Sequence, residues 1–155
     1  MSDTYTVSPQ DSQDSVTDML RAKFPLIPFI PDGLPEGEHS EIKLNADGSV
    51  RPFVVIWFHA ARRTKSGRSF STTRLASRRT GCDIVAVANS GSEARRILNG
   101  VSDFLVDKKP VRSGRITDSD APLWENARPM DMANRPARFL ATSTFTWGMN
   151  NQKIA

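Results

Sequence analysis

Few side chains in this 155-residue sequence have types and spacing suited to chemistry. His59, at the end of an apolar run, is the one candidate general base near a core. No G-x-S-x-G elbow, P-loop or G-x-G-x-x-G stretch accompanies it to mark a nucleophile or a phosphate cradle. We interpret His59 as a strand-end histidine beside cationic residues and expect no enzymatic activity. A Ser-His-Asp arrangement assembled by the fold stays open.

Metal-ligating residues are too scarce for a cysteine-based zinc site. Cys82 is the only cysteine, and with His39 and His59 it gives three soft ligands where structural zinc takes four. The acidic side chains of 118–125 are interpreted as a solvated loop, since calcium needs more converging carboxylates. We therefore expect no metal, no cofactor and no internal disulfide, with Cys82 a small buried apolar residue.

Positive charge is concentrated in residues 61–80. The formal net charge is +4, yet this stretch holds seven basic residues and no acid, which leaves 14 basic against 17 acidic residues elsewhere. The seven are Arg62, Arg63, Lys65, Arg68, Arg74, Arg78 and Arg79. Because such cations repel one another, we expect a projecting hairpin that meets phosphates, an acidic protein surface or solvent alone. Phe70 is its only aromatic residue, so base stacking is poorly supported.

The apolar pattern predicts two helices. One covers 14–24, where Ser15-Val-Thr-Asp18 resembles a capping box and Pro25 ends the element. The other covers 91–108, begins with the capping box Ser90-Gly-Ser-Glu93 and ends before a proline.

Three runs predict strands: 52–60, apolar on both faces and thus covered on both sides, 82–88, and the alternating 138–147. Residues 69–76 could pair back as a polar strand. The order of elements predicts an α+β fold: a small mixed or antiparallel sheet with two helices packed on it, plus extended loops and arms.

One domain is expected over 13–147, with flexible ends at 1–12 and 148–155 and a long irregular loop at 111–136. The proline-rich segment 25–38 is predicted to be extended. Its apolar residues need a surface on this subunit or on a neighbour, and the candidates for an inter-subunit arm are Leu26, Ile27, Phe29 and Ile30. No apolar run reaches the roughly 20 residues of a membrane span, and the polar N-terminus is not a signal peptide, so we expect assembly in the cytoplasm.

One stretch is similar to a known family. It reads Cys82-Asp-Ile-Val-Ala-Val-Ala-Asn-Ser-Gly-Ser-Glu-Ala-Arg-Arg-Ile-Leu-Asn-Gly100, and an irregular loop then leads to the alternating strand 139–147. With the preceding helix, proline-rich segment and central strand, this order resembles the tail terminator proteins of long-tailed, siphovirus-type bacteriophages. In many of them a strand ends in a small-residue turn before an Arg-containing helix. The likeness spans about 13–147 and is carried by order and pattern; the basic hairpin and the segment 25–35 depart from it.

The resemblance implies a structural virion protein of the tail or neck, assembled in the host cytoplasm. Such proteins form a hexameric ring that caps the tail tube, stops its polymerisation and joins the head-tail connector or stopper protein, and genomic DNA later passes through the lumen. The implied partners are other copies of this chain, the tail tube protein, the connector and the DNA, and no membrane. Two alternatives stay open: another connector or stopper protein, and a small nucleic-acid-binding protein that uses the basic hairpin.

Overall fold

The structure, a computed structural model, describes residues 4–5, 9–32, 45–63, 78–118, 128–129, 138–149 and 152–153. Within these ranges it has two helices and nine strands. Neither helix is long and apolar enough to cross a membrane. The combination of helices with a mixed sheet confirms the predicted α+β class.

The first helix, α1, covers Pro9–Lys23 and begins five residues before the predicted start. Proline fits the first helical position because its missing N–H has no partner there, and Asp11 in the first turn suits the positive helix end. Ser15 therefore does not cap the helix. Its hydroxyl oxygen instead accepts a hydrogen bond of 3.1 Å from the backbone N–H of Val111.

The second helix, α2, covers Gly91–Leu105 and starts where the capping box predicted. Ser90 is the N-cap, and its Oγ accepts a hydrogen bond of 3.3 Å from the N–H of Glu93. The helix ends three residues before the predicted position 108. Asp107 has a φ of 69°, a left-handed conformation that cannot continue the helix.

The nine strands are β1 Thr4–Tyr5, β2 Phe29–Pro31, β3 Phe53–Phe58, β4 Arg62–Arg63, β5 Arg78–Ala88, β6 Thr117–Asp118, β7 Arg128–Pro129, β8 Phe139–Met149 and β9 Gln152–Lys153. The main sheet has the order β2-β3-β5-β8-β6, with β4 paired to β5 and β7 paired to β8. Only β2 runs parallel to its neighbour; the other pairs are antiparallel.

Strand β2 explains the proline-rich segment. It pairs with β3 and places Phe29 opposite Val54. The guanidinium of Arg21 in α1 donates to the carbonyl oxygen of Phe29 at 2.9 Å, which ties the strand to the helix. Since an edge strand tolerates residues without an N–H donor, Pro31 fits in this position.

Both helices pack on one face of the sheet. The larger apolar core joins Val16 and Leu20 of α1 and Val101 of α2 to the inward side chains of the strands, which include Ile56 and Trp147. A smaller core lies on the opposite face and comprises Ile30, Val50, Phe53, Val55, Val87 and Leu140.

The prediction that both faces of the central strand are buried is confirmed for only part of β3. Phe53 and Val55 are buried in the smaller core, but Trp57, next on the same face, is 48% exposed. The apolar cover of that face therefore ends between Val55 and Trp57. The face predicted as buried in β8 is confirmed, since Ala141, Phe145 and Trp147 all belong to the larger core.

The two ends predicted as flexible contain regular structure. Residues 9–12 are helical, and Gly148 and Met149 continue β8 beyond its predicted end. Thr4 pairs with Lys153, and Tyr5 with Gln152, in a separate two-stranded antiparallel sheet. These segments have no periodic apolar pattern from which the pairing could be predicted.

Candidate functional site

A β-bulge lies between β3 and β4, where the basic hairpin begins. Phe58 lies opposite Cys82 in the β3–β5 pair, whereas Arg62 lies opposite Arg79 in the β4–β5 pair. Three residues separate the paired positions on one strand and two on the other. One extra residue is thus inserted within 59–61, and such an insertion bends a strand and increases its twist.

A buried network from α1 holds this bulge. The carbonyl oxygen of His59 accepts hydrogen bonds from Oγ1 of Thr80 at 2.9 Å and from Nε2 of Gln13 at 3.1 Å. Gln13 and Thr80 are both buried, so leaving this carbonyl unpaired would be costly. The first helix therefore fixes the bulge that precedes β4.

Four of the predicted arginines form the base of the hairpin. Arg62 is paired with Arg79, and Arg63 with Arg78, across the two strands. Like charges directly opposite each other destabilise a strand pair. No carboxylate in the described ranges forms an ion pair with Arg78 or Arg79; Arg79 is exposed and donates from Nη2 to Oγ1 of Thr146 at 3.1 Å. Among the described residues, Arg78 and Arg79 therefore keep positive charge that an anionic partner would neutralise.

The other predicted basic residues, Lys65, Arg68 and Arg74, lie outside the described residues, as does the possible return strand 69–76. The structure describes a strand that returns as Arg78–Ala88, four residues earlier than the predicted start of its apolar run. The hairpin is thus described at its base, by β4 and the first residues of β5.

His59 contacts a carboxylate that a neighbouring hydroxyl also contacts. Its Nε2 lies 3.1 Å from Oδ1 of Asp83, and Oγ1 of Thr144 donates to the same oxygen at 2.6 Å. Because the hydroxyl is bonded to the carboxylate and not to the imidazole, the three groups do not form the nucleophile–base–orienter chain of a triad. This contact instead links the end of β3 to the middle of β5 and of β8.

The residues predicted as inter-subunit arms divide into two groups. Phe29 and Ile30 are buried in the larger and the smaller core of this chain, so of the two surfaces left open by the sequence they lie on this subunit's own, and they are no longer candidates for an inter-subunit arm. Ile27 is half-buried against the larger core. Leu26 alone is exposed, at 94% of its surface, and remains a candidate for contact with another subunit.

Leu26 stands at the rim of a cleft of about 730 Å³ between the end of α1 and the start of α2. Most of the lining is apolar: Phe24, Pro25, Ile27, Pro28, Pro52 and Ile97. Lys23, Arg51 and Arg96 add positive charge, and Glu93 pairs with Arg96 through oxygen and nitrogen atoms 2.6 Å apart. This pairing lowers the pKa of the Glu93 carboxyl and raises the pKa of the Arg96 guanidinium.

The other candidates have structural environments. Cys82 is fully buried as predicted, and burial, with the nearby Asp83 charge, raises the pKa of its thiol well above the usual range. Asp118 is exposed in β6, while Asp120 and Glu125 lie outside the described residues. No group of three potential metal ligands occurs among the residues that are described.

The sequence patterns predicted neither the bulge nor the polar contacts around it. Gln13 lies before the predicted start of the first helix at 14, and Asp83 lies within a strand predicted from its apolar residues. One signal was available: Gly81 sits inside a strand, and a glycine there often marks a bulge or a close backbone approach.

Comparisons with known proteins add no family assignment. The chain matches no protein-family model, and a search of curated proteins finds no significant match.

Proposed function

We propose that this chain is a tail terminator: a structural virion protein whose copies close into a ring on the tail tube, stop its polymerisation and join it to the head-completion proteins. The observation that supports this is the order of the fold. A helix leads into an extended proline-containing strand and a central strand, then into the paired strands β4 and β5, a helix and a closing strand. The resemblance of the sequence implies this same succession.

The proposed function depends on the formation of a ring. A ring needs a contact between two different surfaces of the subunit, repeated by a rotation that closes. It acts by assembly and by occupying the end of the tube, so it requires no catalytic group. The proposed ring size is six, and the proposed location is the tail or neck of the virion.

The hairpin base gives the ring a second proposed contact. In a ring, the paired arginines at 62–63 and 78–79 repeat once per subunit and form a circular band of positive charge. Such a band suits the phosphates of DNA in the lumen or an acidic surface on the tube. DNA bound through these contacts would be released steeply by salt.

The experiment that tests the ring is size measurement by light scattering after size-exclusion chromatography, with the protein alone and with tail tube protein. A ring of about six copies is expected in at least one condition. Negative-stain images of the larger species should show a closed ring. A strict monomer in both conditions would refute the proposal.

The second candidate is a small nucleic-acid-binding protein, favoured by the like-charge pairs of β4 and β5. It predicts a monomer that binds duplex DNA at low salt through Arg62, Arg63, Arg78 and Arg79. The ring-forming protein and this alternative separate in one measurement, because only the second requires DNA affinity in the unassembled subunit. Another connector or stopper of the same particle would assemble with neck proteins but would not stop tube growth.

A further inference from the structure

Two exposed surfaces of the subunit carry opposite charge beside an apolar side chain. The first, which we call the knob surface, comprises Leu26 with the nearby Lys23 and Arg51. Leu26 is 94% exposed, and both basic side chains are exposed as well. A leucine exposed to this extent keeps most of its apolar area hydrated, which is unfavourable.

The second surface, the hollow surface, lies between α1 and the turn at 111–112. It contains a depression of about 520 Å³ lined by Met19 and Val111, with Asp14 and Asp18 beside them. Val111 is 48% exposed and Met19 is half-buried, so the depression has an apolar floor that water covers. Asp11 also lies there but is 4.0 Å from the guanidinium of Arg112.

We propose that the two surfaces meet between copies of this chain: Leu26 of one copy inserts beside Met19 and Val111 of the next. Lys23 and Arg51 then face Asp14 and Asp18. This inference rests on the proposed ring and names the contact that builds it. Two features support it. The net charges are opposite, and Leu26, Trp57 and Val111 are the large apolar side chains exposed among the described residues, so the contact would cover two of the three.

The contact is heterologous, which is the kind that a ring requires. Each subunit offers one knob surface and one hollow surface, so every copy can engage two neighbours. Positive charge meeting negative charge also sets the direction of addition, because two knob surfaces repel each other. Along α1, Asp14 of the hollow surface and Lys23 of the knob surface are about 13 Å apart, and Met19 lies between them.

Two charge-reversed proteins test the contact. The first is Lys23→Glu/Arg51→Glu, in which both surfaces are negative. The second is Asp14→Lys/Asp18→Lys, in which both are positive. Each alone should lose self-association by about tenfold or more in its dissociation constant, because like charges now face each other. Mixed one to one they should assemble again with alternating copies, since each variant's surfaces complement the other's.

The matched controls are Arg95→Glu and Asp103→Lys, which reverse exposed charges on α2 outside both surfaces. They should assemble as the unchanged protein does. Leu26→Asp is a second variant that weakens association without altering the acidic surface. Circular dichroism and thermal melting show that each variant is folded before its association is measured by sedimentation velocity.

The outcomes separate the contact from the ring. Recovery of assembly in the mixture supports the contact. If the unchanged protein forms a ring and both reversed proteins do so equally well, the contact is wrong while the terminator proposal stands. Reversed proteins that dissociate but fail to assemble in the mixture also overturn it. A monomer under every condition refutes the ring and the contact together.

Discussion

Gly81 packs against the backbone of Phe145 so closely that a methyl group does not fit between them. A Cβ on Gly81 would lie 3.2 Å from Nδ1 of His59 and would overlap the carbonyl oxygen of Phe145 in the next strand. Backbone cannot move aside as a flexible side chain can. We expect Gly81→Ala to lower the free energy of unfolding by about 1–3 kcal/mol, measured by urea denaturation. An unchanged midpoint would show that the strands can separate without loss.

Gly100 is the matched comparison for Gly81, and there we expect alanine to stabilise the protein. It lies within α2, where a Cβ would meet Cε1 of Phe24 at 3.9 Å, an ordinary contact. Alanine is favoured over glycine in helices because glycine loses more backbone entropy on folding. Gly100→Ala should therefore raise the free energy of unfolding by about 0.5–1 kcal/mol in the same assay. A decrease would show that α2 needs glycine for a reason other than its helical backbone.

Removing the side chain of Gln13 should loosen the base of the hairpin. Gln13→Ala deletes the donor to the carbonyl oxygen of His59 and a weaker contact of 3.4 Å with Oγ1 of Thr80. The expected loss is about 1–2 kcal/mol of unfolding free energy. Trypsin cleavage after Arg78 and Arg79 should also become faster, because the strand pair opens more often.

The control for Gln13 is Gln10→Ala, on the exposed side of the same helix, which should cost less than about 0.5 kcal/mol. Equal trypsin rates in the two variants would contradict the assigned role of Gln13. The readout is the band pattern of a timed digest at a temperature where both variants stay folded.

Acid should selectively remove the contribution of the Glu93–Arg96 pair. The pairing lowers the pKa of Glu93 in the folded protein, so its stabilising effect is complete above the unfolded pKa of about 4.3 and is lost as pH falls through the lower folded value. The stability difference between the unchanged protein and Glu93→Gln should shrink as pH drops from 6 to 3. A pH-independent difference would show that the carboxylate charge makes no contribution.

The thiol of Cys82 should react only when the protein unfolds. Burial raises its pKa, so little thiolate exists at neutral pH, and the side chain has no access to solvent. Iodoacetamide labelling, followed by mass spectrometry, should be slow in buffer and fast in denaturant. Rapid labelling of the folded protein would mean that β5 opens locally.

Sequence patterns predicted the apolar elements well because burial leaves a periodic trace. The face of β8 that contains Phe145 and Trp147 alternates in the sequence, and Ser90 marks the start of α2 by its side-chain chemistry. The fold class follows from these elements, since two amphipathic helices need a sheet to cover.

Pairings that depend on the backbone left no such trace. The parallel contact of Phe29 with Val54, the pairing of Tyr5 with Gln152 and the extra residue before Arg62 all depend on the register between distant segments. Composition does not encode register. The candidate site was thus predicted in its charge, while its anchorage through Gln13 emerged only from the three-dimensional arrangement.

The ladder between β5 and β8 also sets an order of events during synthesis. Ala88 pairs with Phe139, so the ribosome must make about fifty further residues before β5 gains its second neighbour. During that interval the strand presents an open edge of apolar residues, the kind that joins other nascent chains. The period of vulnerability ends only when β8 is added, and a protein shortened before it would be expected to aggregate before it could assemble.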